Sequence, residues 1–81
     1  MHKTYKTKGT CSTQIDYDLE DNKVKNVEFT GGCNGNQKGI AALVEGQEIE
    51  EVIKKLKGIK CGFRDTSCPD QLARALEENL Q

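Results

Sequence analysis

Two stretches of alternating apolar and polar residues, 10–20 and 24–30, are separated by Asp21 and Asn22. An alternation with a period of two residues is typical of a half-buried strand. Asp and Asn tolerate positive φ, so this pair predicts a tight hairpin turn between two antiparallel strands. The pattern predicts that one side of the first strand is formed by Cys11, Thr13, Ile15, Tyr17 and Leu19. It predicts that the other side is formed by Ser12, Gln14, Asp16 and Asp18.

Three helices are predicted after the hairpin. The first begins within the glycine-rich residues 31–35 and runs to about Val44, and the second covers residues 47–57. Gly46 and Gly58 follow these helices as left-handed terminators. The second helix carries four apolar residues at the spacing of a single helical face, Ile49, Val52, Ile53 and Leu56.

The third helix begins at Ser67, where Ser67 and Asp70 resemble a capping box and Pro69 suits a first turn. Its inner face is predicted to consist of Leu72, Ala73, Leu76 and Leu80. The segment that contains Tyr5 predicts one more strand before the hairpin. The chain, residues 1–81, is therefore expected to form a single α+β domain, a three-stranded antiparallel sheet followed by three helices.

Charge and hydropathy limit the possible classes of function. The chain has 12 basic and 13 acidic residues, which argues against a dedicated nucleic-acid-binding protein. No apolar run approaches the roughly 20 residues of a membrane helix, and the N-terminus lacks a signal-peptide pattern. We therefore expect no membrane association and a cytoplasmic location, where thiols stay reduced. The histidine at position 2 is expected to be inert in a frayed terminus.

The four cysteines fall at junctions between the predicted elements. The predicted turn brings Cys11 and Cys33 to within about one residue of register at the open end of the hairpin. The first helix leaves from this end, and short connections would make the second helix return Cys61 to it. Cys68 lies in the first turn of the third helix, which starts at the same end. The connectivity thus predicts that all four sulfurs converge.

A cluster of four thiols in a reducing compartment suggests metal binding before disulfides. Helix N-termini stabilise thiolates, and both Cys33 and Cys68 lie at predicted helix starts. Four thiolates suit tetrahedral Zn²⁺ or an iron–sulfur cluster. The chain has no Cys-x-x-Cys motif, however, and cysteines at such wide intervals also occur as small buried apolar residues. Spacing alone leaves that alternative open.

Residues 66–70 spell Thr-Ser-Cys-Pro-Asp, the motif after which the TSCPD domain family is named. The segment 32–36, Gly-Cys-Asn-Gly-Asn, and the pair Cys61–Gly62 look like the rest of that family's pattern. The family comprises small stand-alone bacterial proteins and a domain near the C-terminus of adenosylcobalamin-dependent ribonucleotide reductases. The resemblance implies a link to deoxyribonucleotide synthesis, with a ribonucleotide reductase as protein partner. It does not imply reductase activity, because that chemistry needs a large barrel and a cobalamin site.

A more distant resemblance is to the U-type iron–sulfur cluster scaffolds, and it implies a scaffold-like fold. The three ligand cysteines of those scaffolds look like Cys11, Cys33 and Cys68. Scaffolds have Asp where this chain has Thr13, and His where it has Ser67. Cys61 looks like an additional ligand. An all-thiolate site of this kind is expected to hold its metal permanently, and zinc is the simplest candidate.

Three functions follow as hypotheses. The first is a metal-binding accessory domain without catalysis of its own, which uses Cys11, Cys33, Cys61 and Cys68 as ligands. The second is an iron–sulfur scaffold or carrier. The third is a dithiol redox donor, in which Cys61 and Cys68 reduce a disulfide of a partner enzyme. The oligomeric state stays open, since the outer face of the sheet offers a surface for a second copy.

Overall fold

A computed structural model of the chain contains the predicted three-stranded antiparallel sheet followed by three helices. The structure describes residues 1–10, 12–32, 34–60, 62 and 65–79, and for residue 34 the backbone only. The elements are β1 (His2–Lys6), β2 (Ser12–Glu20), β3 (Lys23–Gly31), α1 (Asn34–Val44), α2 (Ile49–Leu56) and α3 (Cys68–Glu78). The α+β prediction is therefore confirmed.

The hairpin turn lies where the sequence predicts it. Asp21 and Asn22 adopt φ angles of 51° and 66°, a left-handed pair that suits the right-handed twist of the flanking strands. From this turn, β2 and β3 pair as far as Ser12 and Gly31 at the open end. The predicted pairing of Cys11 with Cys33 lies outside the described residues.

Two β-bulges change which side chains face the core. At the open end of the hairpin, Ser12 pairs with Gly31 and Gln14 pairs with Thr30, so Thr13 is an extra residue of β2. As a result Ser12 is buried and Thr13 is exposed, so the prediction from strict alternation is wrong at these two positions. In β3 the extra residue is Asn26, with φ 54°, and the bulge allows both Val24 and Val27 to be buried although three positions separate them.

The first strand begins almost at the N-terminus. β1 pairs with β2 from His2 opposite Asp18 to Lys6 opposite Gln14, which makes β2 the central strand. The His2 ring nitrogen Nδ1 lies 2.8 Å from the Asp18 carboxylate. The expectation of a frayed terminus is therefore wrong, because strand pairing and this side-chain contact hold His2 on the outer face of the sheet.

The second helix starts later than its sequence pattern predicts. Gly46 has the expected left-handed conformation, with φ 75°, but the residues after it pair with the hairpin. The Val24 amide donates to the Gln47 carbonyl at 2.9 Å, and the Ile49 amide donates to the Asn22 carbonyl at 2.9 Å. This backbone pairing, together with a bridge between Lys23 and Glu48, delays the helix to Ile49.

The helices cover one face of the sheet and enclose a single apolar core. The core combines buried residues of β2 and β3 with those of the helices, namely Ile15, Tyr17, Val24, Val27, Val44, Ile49, Val52, Leu72, Ala75 and Leu76. α1 packs on β3, and α2 packs on α3. Tyr17 joins β2 to α3, since its hydroxyl donates to the Ala75 carbonyl at 3.4 Å and accepts from the Asn79 amide at 2.7 Å. Among the described helices, none is long and apolar enough to cross a membrane.

Candidate metal centre at the start of the third helix

The N-terminus of α3 is capped as its sequence predicts. Ser67 is extended, and its hydroxyl oxygen accepts a hydrogen bond from the Asp70 amide at 3.2 Å. The same hydroxyl donates to the Ile59 carbonyl at 2.6 Å. Pro69 occupies the first turn, where the missing N–H costs no helical hydrogen bond. The cap therefore also attaches the helix to the connection that follows α2.

The Asp70 carboxylate is used differently from the acidic residue of a capping box. It accepts hydrogen bonds from the Gly58 amide at 2.7 Å, from the Thr66 hydroxyl, and from Arg74 Nε at 2.8 Å. Asp70 is fully buried. A capping box would direct this carboxylate to the cap residue of its own helix. Here it holds both ends of the connection between α2 and α3.

The electrostatics of Asp70 reflect two opposing effects. Burial by itself raises the pKa of its carboxyl, because the charged form loses its hydration. The hydrogen bonds from Thr66 and Gly58 and the charge of Arg74 outweigh burial and hold the pKa below its ordinary value. Asp70 is therefore an ionised carboxylate in the interior.

Cys68 lies in the first turn of α3 and is partly buried. Its sulfur is 3.2 Å from the Ser12 hydroxyl oxygen, and the Gln37 side-chain amide donates to it at 3.7 Å. Both partners are buried, with exposed fractions of 3 % for Ser12 and 5 % for Gln37. The sulfur therefore lies at a helix N-terminus, with one side-chain amide that donates to it and one hydroxyl within hydrogen-bond distance.

Ser12 and Gln37 are site residues that the sequence analysis missed. The alternation of β2 predicts Ser12 on the side of the strand opposite Ile15 and Tyr17, and only the bulge at Thr13 turns it toward α3. Gln37 has a weak signal in the sequence, since it lies one turn into the helix that follows Cys33. Nothing in the sequence indicates that it would contact Cys68.

The other predicted ligands, Cys11, Cys33 and Cys61, lie outside the described residues. Within the part of the chain that the structure describes, which includes only Cys68 of the four cysteines, no three His, Cys, Asp or Glu side chains are grouped to hold a metal ion. The structure therefore leaves the predicted ligand set untested.

A cleft of about 460 Å³ opens beside Cys68. Its apolar walls are formed by Ile40 and Leu43 of α1, by Ile59, and by Pro69 at the start of α3. Leu43 is 78 % exposed and Ile59 is 42 % exposed, so two large apolar side chains beside the cleft face water. The sulfur of Cys68 thus lies at the edge of an apolar surface.

A comparison with models of protein families matches residues 2–80 to the family described as TSCPD domain. The chain belongs to the TSCPD domain family. Comparisons with curated proteins and with solved structures gave no significant match. The resemblance of the sequence to the TSCPD domain family is thereby confirmed over almost the whole chain.

The structure assigns a physical role to every residue of the TSCPD motif in this domain. Thr66 donates to the Asp70 carboxylate, and Ser67 caps the helix. Cys68 presents its sulfur to Ser12, while Pro69 fits the first turn without breaking a hydrogen bond. The motif is therefore a helix start that supports one cysteine.

Proposed function

We propose that this TSCPD domain is a metal-binding accessory domain with no catalysis of its own. Cys11, Cys33, Cys61 and Cys68 would bind one metal ion as thiolates, and zinc suits four such ligands best. A bound zinc ion would supply a permanent cross-link among the elements that carry the cysteines. In a domain of 81 residues, a cross-link of this kind contributes a large part of the folding free energy.

The observation that carries this proposal is the environment of the Cys68 sulfur. Ser12, whose hydroxyl contacts it at 3.2 Å, directly follows Cys11 in the sequence. Gln37, which donates to it at 3.7 Å, belongs to the helix that begins directly after Cys33. The described neighbours of two further cysteines in the sequence therefore meet at the sulfur of Cys68.

The connection between α2 and α3 approaches the same place. Ile59 accepts the hydrogen bond of the cap residue Ser67, and Cys61 follows Ile59 by two positions in the sequence. This contact supports the inclusion of Cys61 in the ligand set. The donors around Cys68 are those that stabilise metal-bound thiolates in other proteins.

The proposed partner is a larger protein, and the family resemblance suggests a ribonucleotide reductase in a reducing, cytoplasmic compartment. The exposed Leu43 and Ile59 beside Cys68 support a docking role, because a partner would remove them from water. The domain would then contribute to deoxyribonucleotide synthesis through this complex and would not perform the reduction.

The test is the metal content of the chain purified without oxygen, measured by elemental analysis together with acid-labile sulfide and an absorption spectrum. About one zinc ion per chain would support the proposal. Iron with sulfide would replace it with the iron–sulfur carrier. Four titratable thiols without metal would contradict both and favour the dithiol redox donor.

Single cysteine variants then identify the ligands. Replacing Cys11, Cys33, Cys61 or Cys68 by Ser should in each case lower the bound metal well below one per chain. Lys38→Ser, an exposed change on α1 that keeps all four thiols, is the control and should retain the metal. A cysteine variant that binds metal as fully as this control would remove that cysteine from the ligand set.

A further inference from the structure

The buried carboxylate of Asp70 has no part in a four-thiolate site, although it lies two residues after Cys68. A carboxylate is removed from water only when other groups replace its hydration with hydrogen bonds. Asp70 obtains them from Gly58, Thr66 and Arg74. The first two of these partners lie outside its own helix.

Gly58 and Thr66 mark the two ends of the connection between α2 and α3. Gly58 follows α2 with a φ angle of 89°, and Thr66 directly precedes the cap residue of α3. Both Gly58 and Thr66 donate to the same carboxylate, so Asp70 holds the two ends of this connection together. Cys61 lies within this segment in the sequence.

A second set of contacts orients the Thr66 hydroxyl toward Asp70. The Gln71 side-chain amide donates to the Thr66 oxygen at 2.9 Å, which leaves the hydroxyl proton for the carboxylate. Gln71 also accepts from the Lys8 amide at 3.0 Å. Lys8 belongs to the connection that leads into β2 and Ser12. These hydrogen bonds thus join the connection before β2, the connection before α3 and α3 itself, beside Cys68.

We propose that Asp70 is a positioning residue, which presets the geometry between Cys68 and the segment that carries Cys61. This inference rests on the proposed metal site. A segment whose ends are already fixed loses less conformational entropy when a ligand binds to it. Asp70 would therefore raise the metal affinity through Thr66 and Gly58 without touching the metal.

The test compares four variants for their affinity for zinc(II), measured by competition with a chromophoric chelator and corrected for the folded fraction from circular dichroism. Asp70→Asn removes the charge, whereas Thr66→Val removes the hydroxyl that bonds both Asp70 and Gln71 and leaves the charge in place. Thr66→Ser keeps the hydroxyl. Val24→Ala destabilises the core at the turn end of the hairpin, away from Asp70, and controls for a general loss of stability.

We expect Asp70→Asn and Thr66→Val to weaken zinc binding about 10- to 100-fold, the usual effect of losing a group that orients metal ligands. Thr66→Ser and Val24→Ala should stay near the wild-type affinity. Cobalt(II) spectra of the same proteins report ligand geometry, so Asp70→Asn and Thr66→Val should shift the cobalt bands and Val24→Ala should not. If Asp70→Asn fails to fold, Thr66→Val decides the question.

Three outcomes would overturn the inference, and they differ in whether the proposed metal site survives. If the wild type binds zinc and Thr66→Val and Asp70→Asn bind it equally well, the positioning role is wrong and the metal site stands. A loss of affinity in Val24→Ala equal to that in Thr66→Val would also overturn the positioning role. If the wild type does not bind zinc, the proposed zinc site fails, and the role of Asp70 fails with it.

Discussion

The contact between Ser12 and the Cys68 sulfur allows a quantitative prediction for Ser12→Ala. The Ser12 side chain is buried, and its hydroxyl oxygen lies 3.2 Å from the sulfur and 3.0 Å from the Thr10 hydroxyl oxygen. In the variant, the Thr10 hydroxyl keeps the carbonyl of residue 12 as a partner at 3.2 Å. The metal-free domain should therefore lose at most about 1 kcal/mol in its free energy of unfolding.

The metal-bound domain should lose more. A hydrogen bond to a charged group contributes about 1.5–3 kcal/mol, compared with about 1 kcal/mol for a neutral pair. The sulfur of Cys68 is proposed to be a thiolate when metal is bound, so Ser12→Ala should cost that state about 1 kcal/mol more than the metal-free state. Since 1.4 kcal/mol corresponds to a factor of 10, zinc affinity should fall about fivefold.

The assay is competition for zinc(II), combined with thermal unfolding with and without a chelator. Thr13→Ala is a matched control, since it removes a hydroxyl from the next residue of the same strand. That hydroxyl faces outward and donates to the Thr30 carbonyl at 3.3 Å. An unchanged zinc affinity in Ser12→Ala, or an equal loss in Thr13→Ala, would refute the reasoning.

Three further predictions concern the fold. Tyr17→Phe should lower the free energy of unfolding by about 1 kcal/mol and the Tm by about 4–8 °C in calorimetry, because it removes a hydroxyl that makes two hydrogen bonds. An unchanged Tm would contradict this. The hydrogen bond to Asp18 raises the pKa of His2 in the folded chain. The stability that protonated His2 contributes should therefore be complete below its unfolded pKa near 6.5 and should disappear as pH rises through its folded pKa. An NMR titration should show this raised pKa of His2, and Asp18→Asn should return it toward the ordinary value. The same His2 pKa in the variant and the wild type would contradict this prediction. Gly39→Ala within α1 should raise the free energy of unfolding by up to about 1 kcal/mol, whereas Gly46→Ala at φ 75° should lower it by about 1 kcal/mol. Chemical denaturation of the pair checks this, and equal signs for the two changes would refute it.

Most of the fold could be predicted because its signals are local. The alternation of β2 and β3 and the left-handed pair Asp21–Asn22 predict the hairpin without reference to other segments. Gly46 and Gly58 adopt the left-handed conformations that end helices, with φ angles of 75° and 89°. The predicted start of α2 is two residues too early, because Gln47 pairs with Val24, a residue far from it in the sequence.

The candidate site could be predicted only in part. The capping role of Ser67 is local to the first turn of α3, so the sequence shows it. The prediction that Cys11, Cys33 and Cys61 join Cys68 stays a prediction, because these three residues lie outside the described part of the chain.

Local sequence signals thus account for the order of the elements, the hairpin turn and the capped helix that carries Cys68. The contact between Ser12 and this sulfur depends on the folded chain, because a single extra residue in β2 reverses the alternation without leaving a periodic signal. The hydrogen bond from Gly58 to Asp70 also depends on the folded chain, since Gly58 lies 12 positions earlier. A buried carboxylate needs hydrogen-bond donors, and the packing of α2 on α3 determines which donors lie close enough to Asp70.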